Sequence, residues 1–132
     1  MTRAWLALGS NLGDRPAYLQ ATRESLAREG IDVVRASAVA ETDPVGVLEQ
    51  PRFLNQVLEV ETQLEPRALL EAIKRLEREL GRTARQRWGP REIDIDILRF
   101  DDRTVDEPGL RIPHPELPNR PFLKTLLQEI TP

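Results

Sequence analysis

Asp94 and Asp96 alternate with Ile93, Ile95 and Ile97 in a stretch that reads as a β-strand. Successive strand side chains point to opposite faces, so the isoleucines enter a core while the two carboxylates emerge together on the other side. Just upstream, Lys74, Arg75, Arg78, Arg82, Arg85, Arg87 and Arg91 crowd into segment 74–91. Hard oxygen ligands on a rigid strand suit magnesium when phosphates and water complete its shell, and guanidinium groups take phosphate oxygens in pairs. Such a set can offset the charge of a triphosphate under in-line attack. An isolated Asp-x-Asp usually lies on the solvated face of an edge strand. Here Arg87 and Arg91 flank Gly89-Pro90 at the mouth of the same strand, which favours chemistry. Arg75 and Arg78 read better as helix-surface charge. His114, the single histidine, is held between Pro113 and Pro115, where a histidine without a visible partner is more often structural than catalytic.

These residues need elements to position them. Ala4 to Leu8 reads as a buried strand, followed by a turn, Gly9-Ser10-Asn11-Leu12-Gly13-Asp14, whose Asp14 caps a helix from about Pro16 to Arg28. No Gly-Lys-Ser/Thr follows those glycines, so they are read as turn and cap and not as a phosphate loop. Ile31 to Ala40 is a second strand, and Thr42 opens a loop that continues to Arg52. Phe53 to Glu61 alternates apolar and polar residues as a third strand. Pro66 starts a helix with Leu69, Ile73, Leu76 and Leu80 at helical spacing, stopped by Gly81. Ile93 to Phe100 is the fourth strand; a proline-rich loop leads to a short helix, Phe122 to Ile130. Strand, helix, two strands, helix, strand predicts an α+β fold with a ferredoxin-like antiparallel sheet and both central helices on one face.

Composition bounds the chemistry. A chain of 132 residues, 39% hydrophobic, makes about one domain, so residues 1–132 are expected to form a single one. There is no cysteine, which excludes disulfides, thiolate metal sites and a cysteine nucleophile. The net charge of -3 argues against a general nucleic-acid coat. No signal-like or membrane-spanning stretch is visible, so a cytoplasmic protein without membrane or nucleic-acid partners is expected.

The run Arg87-Trp88-Gly89-Pro90-Arg91-x-x-Asp94-x-Asp96-Ile97-Leu98 resembles the signature of the 6-hydroxymethyl-7,8-dihydropterin pyrophosphokinases. So do Leu8-Gly9-Ser10-Asn11-Leu12-Gly13-Asp14-Arg15, Glu41-Thr42-x-Pro44-x-Gly46, Phe53-Leu54-Asn55, and Pro113-His114-Pro115 with Asn119-Arg120-x-Phe122. These blocks follow in the family's order from about residue 4 to 130. The resemblance implies an α-β-α ferredoxin-like sandwich and transfer of pyrophosphate from ATP to the pterin, a step of folate biosynthesis. It implies that Asp94 and Asp96 hold two Mg2+ ions bridging ATP, with Arg82 and Arg91 as further catalytic residues. Glu77, Arg85, Arg91, Ile97, His114 and Arg120 are the implied nucleotide contacts. Thr42, Pro44, Val45, Phe53, Asn55, Trp88 and Phe122 are the implied pterin pocket.

The chemistry agrees with those assignments. Aromatic rings such as Phe53 and Phe122 can stack on a flat pterin, and Asn55 offers both a donor and an acceptor to its edge. Taken alone, the two phenylalanines would read as core residues and Asn55 as an ordinary exposed polar group. Glu77 would equally suit a helix surface. The chain departs from many family members in having Phe53 where they carry a hydroxylated aromatic, and Pro115 where they carry a tyrosine. Segment 81–87 is one residue shorter than in some, and the chain stops soon after Ile130. A monomer is expected. Rival readings are a regulatory module that binds without chemistry, or an RNA-binding sheet.

Overall fold

The computed structural model describes residues 1–43, 49–81 and 92–131. Its central strand, β1 (Thr2–Ser10), pairs antiparallel on one side with β4 (Phe53–Thr62) and on the other with β5 (Asp94–Phe100). β2 (Ile31–Ala36) and β3 (Ala40–Thr42) lie end to end along the far side of β4. The sheet order β2-β4-β1-β5, with every pairing antiparallel, is the ferredoxin-like order. α1 (Arg15–Leu26) and α2 (Pro66–Glu79) cover one face, where Leu19, Leu26, Leu69, Ile73 and Leu76 pack on Leu6, Leu8, Leu58, Ile95 and Ile97. α3 (Pro121–Ile130) covers the other, placing Leu123, Leu126, Leu127 and Ile130 on Ala7, Val57 and Leu98. The result is an α+β fold in three layers.

Local sequence explains the elements. Asp14 caps α1 by accepting from the Ala17 N–H at 3.1 Å, and Pro16 presets the first turn. In α2 the buried Leu69, Ala72, Ile73 and Leu76 recur at three- and four-residue spacing, and Gly81 ends the run at φ 99°.

The structure differs from the sequence reading at three places. Gly9 and Ser10 belong to β1, because Gly9 pairs with Asn55 on one side and Asp94 on the other; flanking strands hold extended a glycine that local chemistry reads as a turn. The stretch Ile31 to Ala40 is split, since Ser37 turns inward: its N–H donates to the Val57 carbonyl at 2.9 Å and its Oγ accepts from the Val57 N–H. The proline-rich segment contains a hairpin, β6 (Val105–Glu107) and β7 (Leu110–Ile112), turned by Pro108 and by Gly109 at φ 74°. Among the described residues no helix is long and apolar enough to cross a membrane.

Candidate active site

The floor of the site is a row across the sheet. Ala40 of β3 pairs with Asn55 of β4, Asn55 with Gly9 of β1, and Gly9 with Asp94 of β5. One step along, Val57, Ala7 and Asp96 form the next row. α3 covers Ala7 and Val57, whereas Asp94 and Asp96 both remain partly exposed. Asp94 and Asp96, both on this face, are separated by two strand steps, about 7 Å. Gly9 carries no side chain between Asn55 and Asp94. A Cβ there would meet Asn55 Oδ1 and Phe53 Cδ1, each at 3.5 Å.

Asn55 is buried and oriented by its amide nitrogen, which donates to Thr42 Oγ1 at 2.6 Å and to the Ala40 carbonyl at 3.3 Å. Its Oδ1 therefore turns toward Gly9. Phe53 pairs with Thr42 and lies beside Gly9, while Phe122, in the first turn of α3, and Ala40 each pack on the cluster that includes Ala7, Val57 and Leu98. The structure thus gathers Thr42, Phe53 and Asn55 at one end of the sheet, with Phe122 on the adjoining layer. Below them Asn11, itself buried, donates to Gln50 Oε1 and to the Pro51 carbonyl, each at 2.9 Å.

The register between β1 and β5 slips between Trp5–Arg99 and Leu6–Ile97, so Leu98 is an extra residue in a β-bulge. Its carbonyl accepts from the His114 N–H at 2.9 Å, seating the histidine beside β5. His114 Nδ1 accepts from the Glu116 N–H at 3.1 Å, so the neutral ring carries its proton on Nε2, which lies 3.8 Å from Asp96 Oδ1. Burial lowers the histidine's proton affinity below the ordinary 6.5, with Arg120 acting in the same direction and Glu116 and Asp94 against it. Arg120 caps the start of α3 and its Nε stands 4.0 Å from Glu116 Oε2. The sequence alone left His114 without a partner; the fold supplies Asp96 and Glu116.

Glu77 is neither a surface residue nor exposed to a ligand on all sides. It is 2% exposed, its Oε2 accepts from the Ile95 N–H at 2.8 Å, and Lys74 Nζ stands 3.2 Å from its Oε1. The carboxylate therefore holds the backbone between the two aspartates. Outside β5 a pocket of about 390 Å³ opens between α2 and the β6–β7 hairpin. Leu70 and Lys74 line one wall, Gly109, Leu110 and Arg111 the other, with Ile95, Asp96 and Ile97 as its base and His114 and Pro115 at its side. Sequence reasoning missed Leu70 and the hairpin residues; the Pro108-Gly109 turn between apolar ends was the signal for that wall. Arg82, Arg85, Trp88, Arg91, Pro44 and Val45 lie outside the described residues.

Among the described residues no three His, Asp or Glu side chains converge as a self-sufficient metal cage. Two carboxylates on one strand face are a donor set for a hard cation whose other ligands come from substrate oxygens and water. Carboxylates beside a histidine, with a pocket next to them that Lys74 and Arg111 line, suit the handling of a phosphate-bearing substrate.

Comparison with known proteins narrows that class. Residues 5–132 match the family described as 7,8-dihydro-6-hydroxymethylpterin-pyrophosphokinase (HPPK). The 2-amino-4-hydroxy-6-hydroxymethyldihydropteridine pyrophosphokinase of Bacillus subtilis is 44% identical over 128 residues, covering 96% of this chain and 77% of its own length. The enzyme of the same name from Aquifex aeolicus is 44% identical, covering 100% of this chain and 82% of its own. The mitochondrial folate synthesis bifunctional protein of Pisum sativum is 40% identical over 95% of this chain, which spans 24% of that protein. The chain belongs to the 7,8-dihydro-6-hydroxymethylpterin-pyrophosphokinase family.

Proposed function

We propose that this chain transfers the terminal pyrophosphate of ATP to 6-hydroxymethyl-7,8-dihydropterin, releasing AMP, as a magnesium-dependent step of folate biosynthesis. Family membership supports the activity, and one observation carries its placement: the row Asn55–Gly9–Asp94 sets a recess for a flat ring directly beside the two carboxylates.

In this reading the pterin lies over Gly9, between Phe53 and Phe122, with its amide-like edge on Asn55. The triphosphate runs from the pocket lined by Lys74, Ile97 and Arg111 toward Asp94 and Asp96. The hydroxymethyl oxygen then attacks the β-phosphorus: a carbon-bound oxygen to β-phosphorus bond forms, the bond from that phosphorus to the α-bridging oxygen breaks, and the hydroxyl proton leaves to water. Magnesium, bound through Asp94 and Asp96, would neutralise charge on the phosphate oxygens. His114 donates through Nε2 to the same region, and Arg120, with Arg82, Arg85 and Arg91 from the family signature, supplies positive charge. Glu77 acts from behind, holding Ile95. Thr42 orients Asn55, and Pro44, Val45 and Trp88 complete the pterin pocket in the family pattern. Positioning and charge stabilisation carry such transfers, so no general base is assigned. The chain works as a single-domain cytoplasmic monomer in this reading, without nucleic-acid or membrane partners.

The test is incubation with ATP, magnesium and 6-hydroxymethyl-7,8-dihydropterin, identifying the released nucleotide. AMP formed only with pterin present supports pyrophosphoryl transfer. ADP would mean ordinary phosphoryl transfer, and ATP binding with no product would favour a regulatory module.

A further inference from the structure

Three motifs that stand far apart in the sequence meet at one side chain that the reaction does not use. Arg15 opens α1 next to the Asp14 cap. Its Nη1 donates to Glu41 Oε2 at 2.8 Å and to the backbone carbonyl of Arg52 at 2.7 Å. Arg52 Nη1 donates to the other Glu41 oxygen at 3.1 Å, and Arg52 Nε lies 3.1 Å from Asp43 Oδ1. Positive and negative groups therefore alternate along Arg15, Glu41, Arg52 and Asp43.

The position of this chain of contacts matters more than its strength. Glu41 sits in β3 immediately before Thr42, and Arg52 immediately precedes Phe53 in β4; Thr42 and Phe53 are cross-strand partners. Thr42 in turn accepts the bond that orients Asn55. Arg15 thus ties the end of β3 to the start of β4 from a third element. The guanidinium, Glu41 and Arg52 side chains are 29%, 39% and 52% exposed, so solvent screens the ion pairs and their share of global stability is small. The bond to the Arg52 carbonyl is different, because a dissolved counter-ion cannot replace it.

We propose that Arg15 is a positioning residue for the pterin end of the site: by bridging Glu41 and the Arg52 carbonyl it sets the spacing of Thr42, Phe53 and Asn55. The proposal rests on the reading of that recess as the pterin pocket. It explains why Asp14 and Arg15 stand together: the cap fixes where α1 begins, and so where the guanidinium reaches.

The experiment measures pterin binding by calorimetry, in the presence of magnesium and a non-hydrolysable ATP analogue, together with steady-state KM for both substrates. Arg15→Ala should raise the pterin Kd and KM about tenfold, as expected for losing hydrogen bonds to a charged group, while the KM for ATP stays within about twofold. Arg15→Lys should recover much of the loss, because both acceptors are reached from one nitrogen and an ammonium can serve both. Should Arg15→Ala fail to fold, Arg15→Met keeps the aliphatic stem, removes both donated bonds, and should show the same pterin-selective defect. Unchanged pterin affinity in Arg15→Ala or Arg15→Met, or equal losses for pterin and ATP, would overturn the proposal. A wild-type protein that turns over no pterin and binds none would instead overturn the pocket reading, and this proposal with it.

Discussion

At the scale of single residues, the row Asn55–Gly9–Asp94 is the most exacting feature. Gly9→Ala adds a methyl group at ordinary contact distance from Asn55 and Phe53, 3.5 Å from each, with no strained backbone angle. The fold should therefore hold, with a melting temperature close to wild type, while the pterin KM rises because the recess floor is filled. Asp94→Ala should likewise leave stability intact but lower kcat by about a hundred- to a thousandfold, since it removes charge stabilisation at the reacting phosphates. Retained turnover in that variant would sink the metal assignment. His114 gives a pH signature. Its burial places the folded-state ionisation below the ordinary 6.5, so as pH falls through that value the unfolded chain takes up a proton that the folded chain resists. Stability should thus drop between about pH 7.5 and pH 5.5, and a His114→Gln variant should lose less over the same interval in paired thermal melts.

At the scale of elements, β5 is an edge strand whose outer side is held by side-chain and loop contacts in place of another strand. Glu77 holds the Ile95 N–H and His114 holds the Leu98 carbonyl, one on each side of Asp96. Glu77→Ala would leave a buried N–H without its acceptor, at a cost of about 1–3 kcal/mol in chemical denaturation. Glu77→Gln retains an acceptor and should cost less. If Glu77 served mainly to bind nucleotide, the alanine variant would lose ATP affinity with little change in stability. The bulge at Leu98 belongs to the same argument. It leaves Asp94, Asp96 and Leu98 toward α3 while Ile97 and Phe100 both enter the core under α1 and α2.

At the scale of the whole molecule, Asp96 stands where the row next to that of Gly9 meets the pocket between α2 and the hairpin. The hairpin wall of the pocket beside β5 is tied to the start of α2 by Arg67, which donates to Glu107 Oε1 at 2.9 Å and the Pro108 carbonyl at 3.0 Å. ATP with magnesium should raise the melting temperature, by the equivalent of about 2.7 kcal/mol at a hundredfold excess over Kd. Chelating the magnesium should remove that shift without lowering the melting temperature of the ligand-free protein. A melt that fell on chelation alone would place the metal in the fold itself.

Periodicity was sufficient to read the strands that alternate and the helices that carry an apolar stripe, because both patterns record a single buried face. The Asp94 and Asp96 pair was legible for the same reason, as were the proline start and glycine stop of α2. The identity of the family was legible as ordered motif blocks. Local pattern could not show that Gly9 is strand, paired between Asn55 and Asp94, since its conformation comes from strands distant in sequence. Nor could it find a partner for His114, the burial of Glu77, or the bridge from Arg15 to Glu41 and Arg52. Each of those depends on a contact between segments that share no local signal, and only closing the sheet and laying the helices on it brings them within bonding distance.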